Sequence, residues 1–386
     1  MQYFSNKNCR MLYYDSFFKT FANSIYAVFT PVILYKAGVS ITMIIFIFMI
    51  QFLVMGLFSP LAGTLSKRIG IANTKFISYI LKSISMLLVL TVDTNIKYYL
   101  VIAVVYGLSG AANNPINTYL PSKIVEKSFM GRFNSFAYIL RCFSSIVGYI
   151  FTAIFLTNDK SLTIVVAVFI SYFLAYLALL NVDKENLEYE MDSSFKDSYS
   201  YLIKRNENQK FKIVSGLRSC IIIERLIAVP LYLYISLMNL KTFTTLYVVS
   251  TVVELLSLFV SGKKLDKDQI KTFNVISVVK GIITSVFLFA KNTYILMVNQ
   301  SVYKLVDNVY DSSYLALSQC KVENDRKDTM LLAIVHEMCL CFCEFVILLV
   351  LLIISTININ LLFKVMFINS IVAILINVKL IKQWNS

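Results

Sequence analysis

Fifteen ionisable side chains stand inside stretches of sequence that are otherwise apolar for about twenty residues at a time. The basic ones are Lys19, Lys82, Arg141, Arg218, Arg225, Lys280, Lys304 and Lys364, and the acidic ones are Asp15, Glu224, Glu254, Asp307, Asp311, Glu337 and Glu344. Such stretches have the length of membrane spans. Each charge facing lipid at mid-bilayer would cost roughly 3 kcal/mol, on the order of 45 kcal/mol together. Those near span ends can snorkel to the interface; the rest must face one another or a watery cavity. Ion pairing, proton carriage and solute binding are the chemistries open to them.

Spacing groups these residues. Lys304, Asp307 and Asp311, at i, i+3 and i+7, share a helix face, and two acids beside one Lys leave a carboxylate suited to carrying a proton. Glu337 and Glu344 lie two turns apart with His336, the sole His, beside Glu337. Arg141 continues a stripe with Tyr138, Ser145 and Gly148 that can line a cavity, where the guanidinium could hold an anionic group or counter Glu337. Arg218 and Arg225 are at i, i+7 with Glu224 adjacent, and Glu254 stands isolated, either a proton site or a partner of one of these arginines. Asp15 and Lys19 can pair at i, i+4, with Asn23 and Tyr26 extending the stripe. Lys82 and Lys280, about two turns from span ends, are expected to snorkel or to pair structurally. The candidates are Asp307, Asp311 and Glu337 for proton coupling, and Arg141, Arg225, Tyr119 and Asn113 for solute contact.

The elements that must position these residues follow from composition. Of 386 residues, 58% are hydrophobic and 15% charged, against about 25% charged in a soluble domain, and 11 Gly and 5 Pro exclude fibrous or disordered classes. Apolar runs near 12–35, 40–60, 74–92, 98–120, 133–157, 161–181, 213–238, 242–261, 272–290, 293–319, 330–356 and 358–381 predict about twelve helical spans. The polar stretch 182–212 separates six spans (1–181) from six (213–386). With the N-terminus inside, inside segments hold 23 Lys and Arg and outside segments 5 (Lys36, Lys97, Lys160, Lys241, Lys291), which places both termini in the cytoplasm. The net charge of +14 is thus an orientation signal rather than a mark of nucleic-acid binding. The N-terminal MQYFSNKNCR lacks the features of a cleaved signal peptide, so none is expected.

The halves echo each other. Ser66-Lys67-Arg68-Ile69 after the second span parallels Gly262-Lys263-Lys264-Leu265 after the eighth. Asn113, Tyr119 and Leu120 match Asn308, Tyr314 and Leu315 at a constant offset of 195, and Arg132 and Arg326 begin the following helices.

Six plus six spans, inside termini and a basic central segment resemble the major facilitator superfamily. Gly63-Thr64-Leu65-Ser66-Lys67-Arg68-Ile69-Gly70 is similar to that family's G-x-L-a-D-r-x-G signature. Gly63, Leu65, Arg68 and Gly70 match it, and Lys67 stands where the acid is usual. The resemblance implies a cytoplasmic gating role for this loop, with the latch built differently. Segment 115–153 is similar to drug and macrolide efflux members, although Tyr149 and Thr152-Ala153 replace the Pro and Gly-Gly of the antiporter signature.

No phosphate-binding loop, nucleophile elbow or metal-ligand cluster is present in the sequence, and Cys339, Cys341 and Cys343 at i, i+2 spacing point to different sides of a helix. No metal, cofactor or enzymatic activity is expected. An integral membrane enzyme would cluster its polar groups at one interface, and a scaffold would not need charge in both halves. The expectation is a monomeric all-α protein of the cell membrane with two pseudo-symmetric six-helix halves. By resemblance it is a secondary transporter working by alternating access. Proton-coupled efflux of a small amphipathic compound is the first reading, and uptake of a nutrient or lipid-like solute the second. Its partners would be that solute, protons or another coupling ion, and the lipid bilayer, with no nucleic acid.

Overall fold

The computed structural model describes residues 6–26, 30–91, 96–126, 129–157, 161–183, 185, 195–204, 209–267, 269–290, 292–324 and 329–382. Lys160, Lys291 and Arg326 lie outside the described residues, as do the side chains of Tyr26 and of Lys263, Lys264 and Leu265. The described residues form twelve spans. In the first half they are span one (Lys7–Tyr26 continued by Thr30–Lys36), span two (Ile41–Phe58), span three (Ile71–Leu90), span four (Ile96–Ile124), span five (Met130–Thr157) and span six (Ser161–Leu180). In the second half they are span seven (Gln209–Ile223, continued to Leu237), span eight (Leu240–Lys267), span nine (Gln269–Phe289), span ten (Thr293–Asn324), span eleven (Thr329–Ile357) and span twelve (Ile359–Lys382). Ten of the twelve are long and apolar enough in composition to cross a bilayer; spans eight and ten are not among them. Span ten carries Lys304, Asp307 and Asp311 and packs on spans four, five, eight and nine, with Ile295, Val298 and Val302 exposed near its start.

Packing repeats from half to half. Span one packs on five and six, span two on four, and span three on four and six. The same pairs recur as seven on eleven and twelve, eight on ten, and nine on ten and twelve. The halves meet through two on eleven and five on eight, again equivalent pairs. This is two six-helix bundles related by a pseudo-twofold axis, as an internal duplication requires.

Local chemistry sets the ends. On the face away from the termini, Ser40, Asn239, Asn292 and Asn358 accept from backbone N–H groups at the starts of spans two, eight, ten and twelve. Leu61–Ile69 is a short separate helix beside spans three, four and eleven, ended by Gly70 at φ 85°, a conformation that favours glycine. Span seven is interrupted by a π-helical turn over Glu224–Ala228, where the Val229 N–H reaches the Glu224 carbonyl. Pro230, which has no N–H to give, follows at once and accounts for the break. Within the polar stretch, Phe195–Ile203 is a helix against span eleven, and the Tyr199 hydroxyl donates to the Leu57 carbonyl at 2.9 Å.

Apolar contacts join the bundles at two levels. Toward the far face, Phe48, Met49 and Phe52 share a core with Leu348, Leu351 and Phe243. Toward the terminal face, Leu12, Ile116 and Phe133 share one with Ala316, Met330 and Ile334.

Candidate functional site

In the N-terminal bundle the charges converge on Asp15 of span one. Lys75 of span three donates to Asp15 Oδ2 at 2.8 Å, the Tyr79 hydroxyl donates to Oδ1 at 2.6 Å, and Lys19 lies at 3.8 Å. The i, i+4 pair expected from spacing is present, but Lys75, from a neighbouring helix, makes the shorter contact. Lys19 donates instead to Asn117 Oδ1 at 2.9 Å. Arg141 of span five donates from Nε to Ser16 Oγ at 2.7 Å, and its guanidinium lies over the Tyr138 ring at 4.8 Å. Gly148, two turns further along the stripe, lets span one approach so closely that a Cβ there would strike Ser24 Oγ and the Phe21 carbonyl.

The C-terminal bundle holds its own network. Arg218 pairs with Asp311, Arg225 donates to Asp311 at 3.0 Å and lies 3.8 Å from Asp307, and Lys280 pairs with Asp307. The Tyr138 hydroxyl crosses from the other bundle to donate to Asp311 at 2.6 Å. Glu224, turned inward by the π-helical break, accepts from Thr284 at 3.0 Å and from Ser370. The sequence left Asp307 and Asp311 sharing one Lys; the structure gives them Lys280, Arg218 and Arg225, while Lys304 sits over the rings of Tyr247 (5.0 Å) and Tyr149 (5.6 Å). Lys280 thus pairs rather than snorkels. Lys82 lies over Tyr106, and Lys364 is exposed near the start of span twelve.

A cavity of about 330 Å³ lies between the bundles. Its walls carry Asn23, Tyr138, Arg141 and Tyr149 from the first half and Arg225, Tyr247, Glu254, Tyr303, Lys304, Asp307, Asn308 and Asp311 from the second. Glu254 accepts from the Cys142 thiol at 3.0 Å, a contact between the halves. A second cavity of about 240 Å³ lies in the first bundle, closed on one side by Leu315 of span ten, and is lined by Asp15, Lys19, Lys75, Asn117, Asn134 and Arg141 among others; Thr20, Asn23 and Arg141 line both.

Toward the terminal face, Asn114 of span four donates to Glu337 Oε1 of span eleven at 2.6 Å, with Cys341 adding a longer sulfur contact at 3.7 Å. His336 bonds Ser215 within its own bundle and lies between Phe211 and Tyr314, so it lines neither cavity. Arg141, Arg225, Asp307 and Asp311 therefore come together at the central cavity, and Glu337 sits at the seam between the bundles. Tyr119 and Asn113 do not join them: both are buried in span four, Tyr119 in the terminal-side core, outside the lining of either cavity. The offset of 195 that singled them out tracks the fold repeat, whereas the neighbouring Asn114 makes the contact between halves. Of the loop motif, Gly63 is buried and Arg68 exposed. Its helix packs on span eleven, which also carries Glu337.

In comparisons with known proteins, no curated protein matches the chain in sequence. Among solved structures, the chain is similar to the human organic anion transporter MFSD10 (TETRAN), with a TM-score of 0.70 at 9% identity over 97% of this chain and 99% of that one. It is also similar to a bacterial homologue of the iron transporter ferroportin in the outward-facing state, with a TM-score of 0.69 at 12% identity over 98% and 99%. At such identities these likenesses speak for the fold. Residues 16–306, three quarters of the chain, match the model of the Major Facilitator Superfamily, and the chain belongs to that family.

Proposed function

We propose that this membrane transporter moves a small amphipathic solute by alternating access, outward across the cell membrane and coupled to protons. The observation that carries the proposal is the cavity of about 330 Å³ between the bundles, walled by ionisable and tyrosine side chains from both halves. Its size is at the small end of ligand sites, and rocking of one bundle against the other would open it to either face. The relatives' names differ in cargo, so the fold alone sets none. Export rests on the likeness of segment 115–153 to efflux members; uptake by the same fold is the competing direction. The loop bases support an orientation with the termini in the cytoplasm, and a central cavity formed within one chain supports a monomer as the working unit.

In this reading Arg141 and Arg225 meet the solute, joined by Tyr149 and Tyr247. Protons load at Glu337, Asp307 or Asp311, and at the last two only once their pairs with Lys280, Arg218 and Arg225 part. Proton binding to Glu337 replaces a charge-assisted bond to Asn114 by a neutral one roughly half as strong. That loosens the seam on the terminal side, and the short helix of the Gly63–Gly70 motif moves with span eleven. The test is transport by purified protein in proteoliposomes, screened against amphipathic compounds with and without a pH gradient. Gradient-driven flux that falls in Glu337→Gln, Asp307→Asn or Asp311→Asn supports the proposal. Gradient-driven flux unchanged in all three refutes the coupling, and equal flux without a gradient refutes active transport.

A further inference from the structure

We infer that the cavity inside the N-terminal bundle holds an oxyanion group borne by the transported solute, so that the cargo is an organic anion. The inference rests on the transport reading above and adds the chemical class of the solute. Charge balance carries it. The smaller cavity is lined by three bases, Lys19, Lys75 and Arg141, and by one acid, Asp15, so two of its bases are in excess there. The C-terminal bundle has no such excess: Arg218, Arg225, Lys280 and Lys304 are matched by Asp307, Asp311, Glu224 and Glu254, with Glu337 and Glu344 buried besides.

These cations are not at the surface. The side chains of Lys75 and Lys19 are 2% and 13% exposed. Lys75 is committed to Asp15, whereas Lys19 and Arg141 make their hydrogen bonds to the neutral groups of Asn117 and Ser16. Among the described residues no carboxylate lies within 4.0 Å of the Arg141 guanidinium, and an arginine does not shed its proton in a protein. Buried charge without a counter-charge is costly, and a guanidinium fork matches the two oxygens of a carboxylate or phosphate.

Arg141 also fixes how such a solute lies. It lines both cavities, with Thr20 and Asn23, so the two spaces meet at its side chain. An oxyanion between Lys19 and Arg141 directs the remainder of the molecule into the central cavity, among Tyr149, Tyr247 and Tyr303. The anionic end is therefore read by the first bundle and the apolar end by the tyrosines at the seam.

The experiment uses the purified full-length protein and aromatic carboxylates from benzoate to naphthoate, each paired with its uncharged amide, at fixed ionic strength. Calorimetric titration is expected to show saturable binding of the acids, tighter than the amides by about tenfold or more. Arg141→Gln should weaken acid binding by a similar factor, and Arg141→Lys should recover part of it. If Arg141→Gln does not elute as a monodisperse protein, Lys19→Gln makes the same test. Tyr247→Ala should weaken the aromatic acids while leaving inorganic phosphate unaffected. Amides binding as well as acids, or acid binding indifferent to Arg141→Gln and Lys19→Gln, overturns the inference. Phosphate binding as tightly as naphthoate, with Tyr247→Ala silent, would assign the site to a free inorganic anion and also overturn it. In proteoliposomes the two readings separate. Flux of aromatic amines without flux of acids keeps the transporter and removes the anion site; acids bound as expected but never moved keep the site and remove the transport reading.

Discussion

Removing Lys75 and removing Asp15 should cost different amounts, and removing both should cost less than their sum. The pair is held at 2.8 Å with side chains 2% and 5% exposed, so either single change strands a buried charge, a class of change that costs about 3–5 kcal/mol. Lys75→Met leaves Asp15 with the Tyr79 hydroxyl at 2.6 Å and Lys19 at 3.8 Å, which places its cost near the lower bound, about 3 kcal/mol. Asp15→Asn leaves Lys19, Lys75 and Arg141 without a carboxylate, which places it near the upper bound, about 5 kcal/mol. The double variant keeps neither charge and should fall at least about 2 kcal/mol short of the summed costs. The assay is equilibrium loss of helical circular dichroism as the mole fraction of a denaturing detergent rises, for all four proteins. Single-variant costs that add within about 0.5 kcal/mol would refute the argument, because independent sites add to that accuracy. The same variants probe the cation surplus: a bound oxyanion should stabilise Asp15→Asn more than the parent, since it supplies the missing charge.

Other outcomes follow from single contacts. Asn114→Ala removes the donor to Glu337 across the seam; Cys341, 1% exposed beside it, should then become reactive to N-ethylmaleimide, read by mass spectrometry, and unchanged protection would show that the contact does not hold the seam. Gly148→Val places bulk where Ser24 and the Phe21 carbonyl already touch, so about 1–3 kcal/mol of stability should be lost, whereas Val147→Ala on the exposed side should change little. Pro230→Ala restores an N–H for a regular helix and is expected to straighten span seven, weakening the contacts of Glu224 with Thr284 and Ser370; unchanged stability and flux would show that the π turn has another cause. Outside the membrane, hydrogen bonds from Asn8 and then Lys7 hold the Asp183 carboxyl below its usual range. A depressed folded-state pKa gives stability present above the unfolded value, about 3.9, and lost as pH falls through the folded one. The parent should therefore exceed Asp183→Asn by a small, salt-sensitive margin at neutral pH that closes on acidification; a margin that widens in acid would reverse the assignment.

The parts of this molecule that were legible in sequence are those set by one helix at a time. The apolar runs mark all twelve spans because bilayer thickness fixes their length, and the largest differences in extent fall where charge continues a helix past the apolar run, as at Leu240–Lys267 and Thr293–Asn324. The Arg141 stripe was legible as well, since one helical face sets it. Partners were not. Lys280 and Asp307 are 27 residues apart, Asp15 and Lys75 are 60 apart, and Asn114 and Glu337 are 223 apart. Which helices meet, and at what rotation, is decided by packing of the whole bundle. A change of one position turns a side chain by about 100°, enough to separate Asn113, buried outside the lining of both cavities, from Asn114 at the seam.

That limit also explains why charge was the more informative signal. An apolar residue in the wrong place costs little in a bilayer, so its partner is weakly specified. A buried charge must find its counterpart or water. The eight bases and seven acids inside the spans divide as three and one in the first half and five and six in the second, and the fold adds which of them meet. Helix packing is thus repeated in both halves while the charge network is not. The C-terminal cluster pairs its charges among its own side chains. The cavity of the N-terminal bundle holds three bases against one acid, and on the inference above that excess is what an anionic solute would meet.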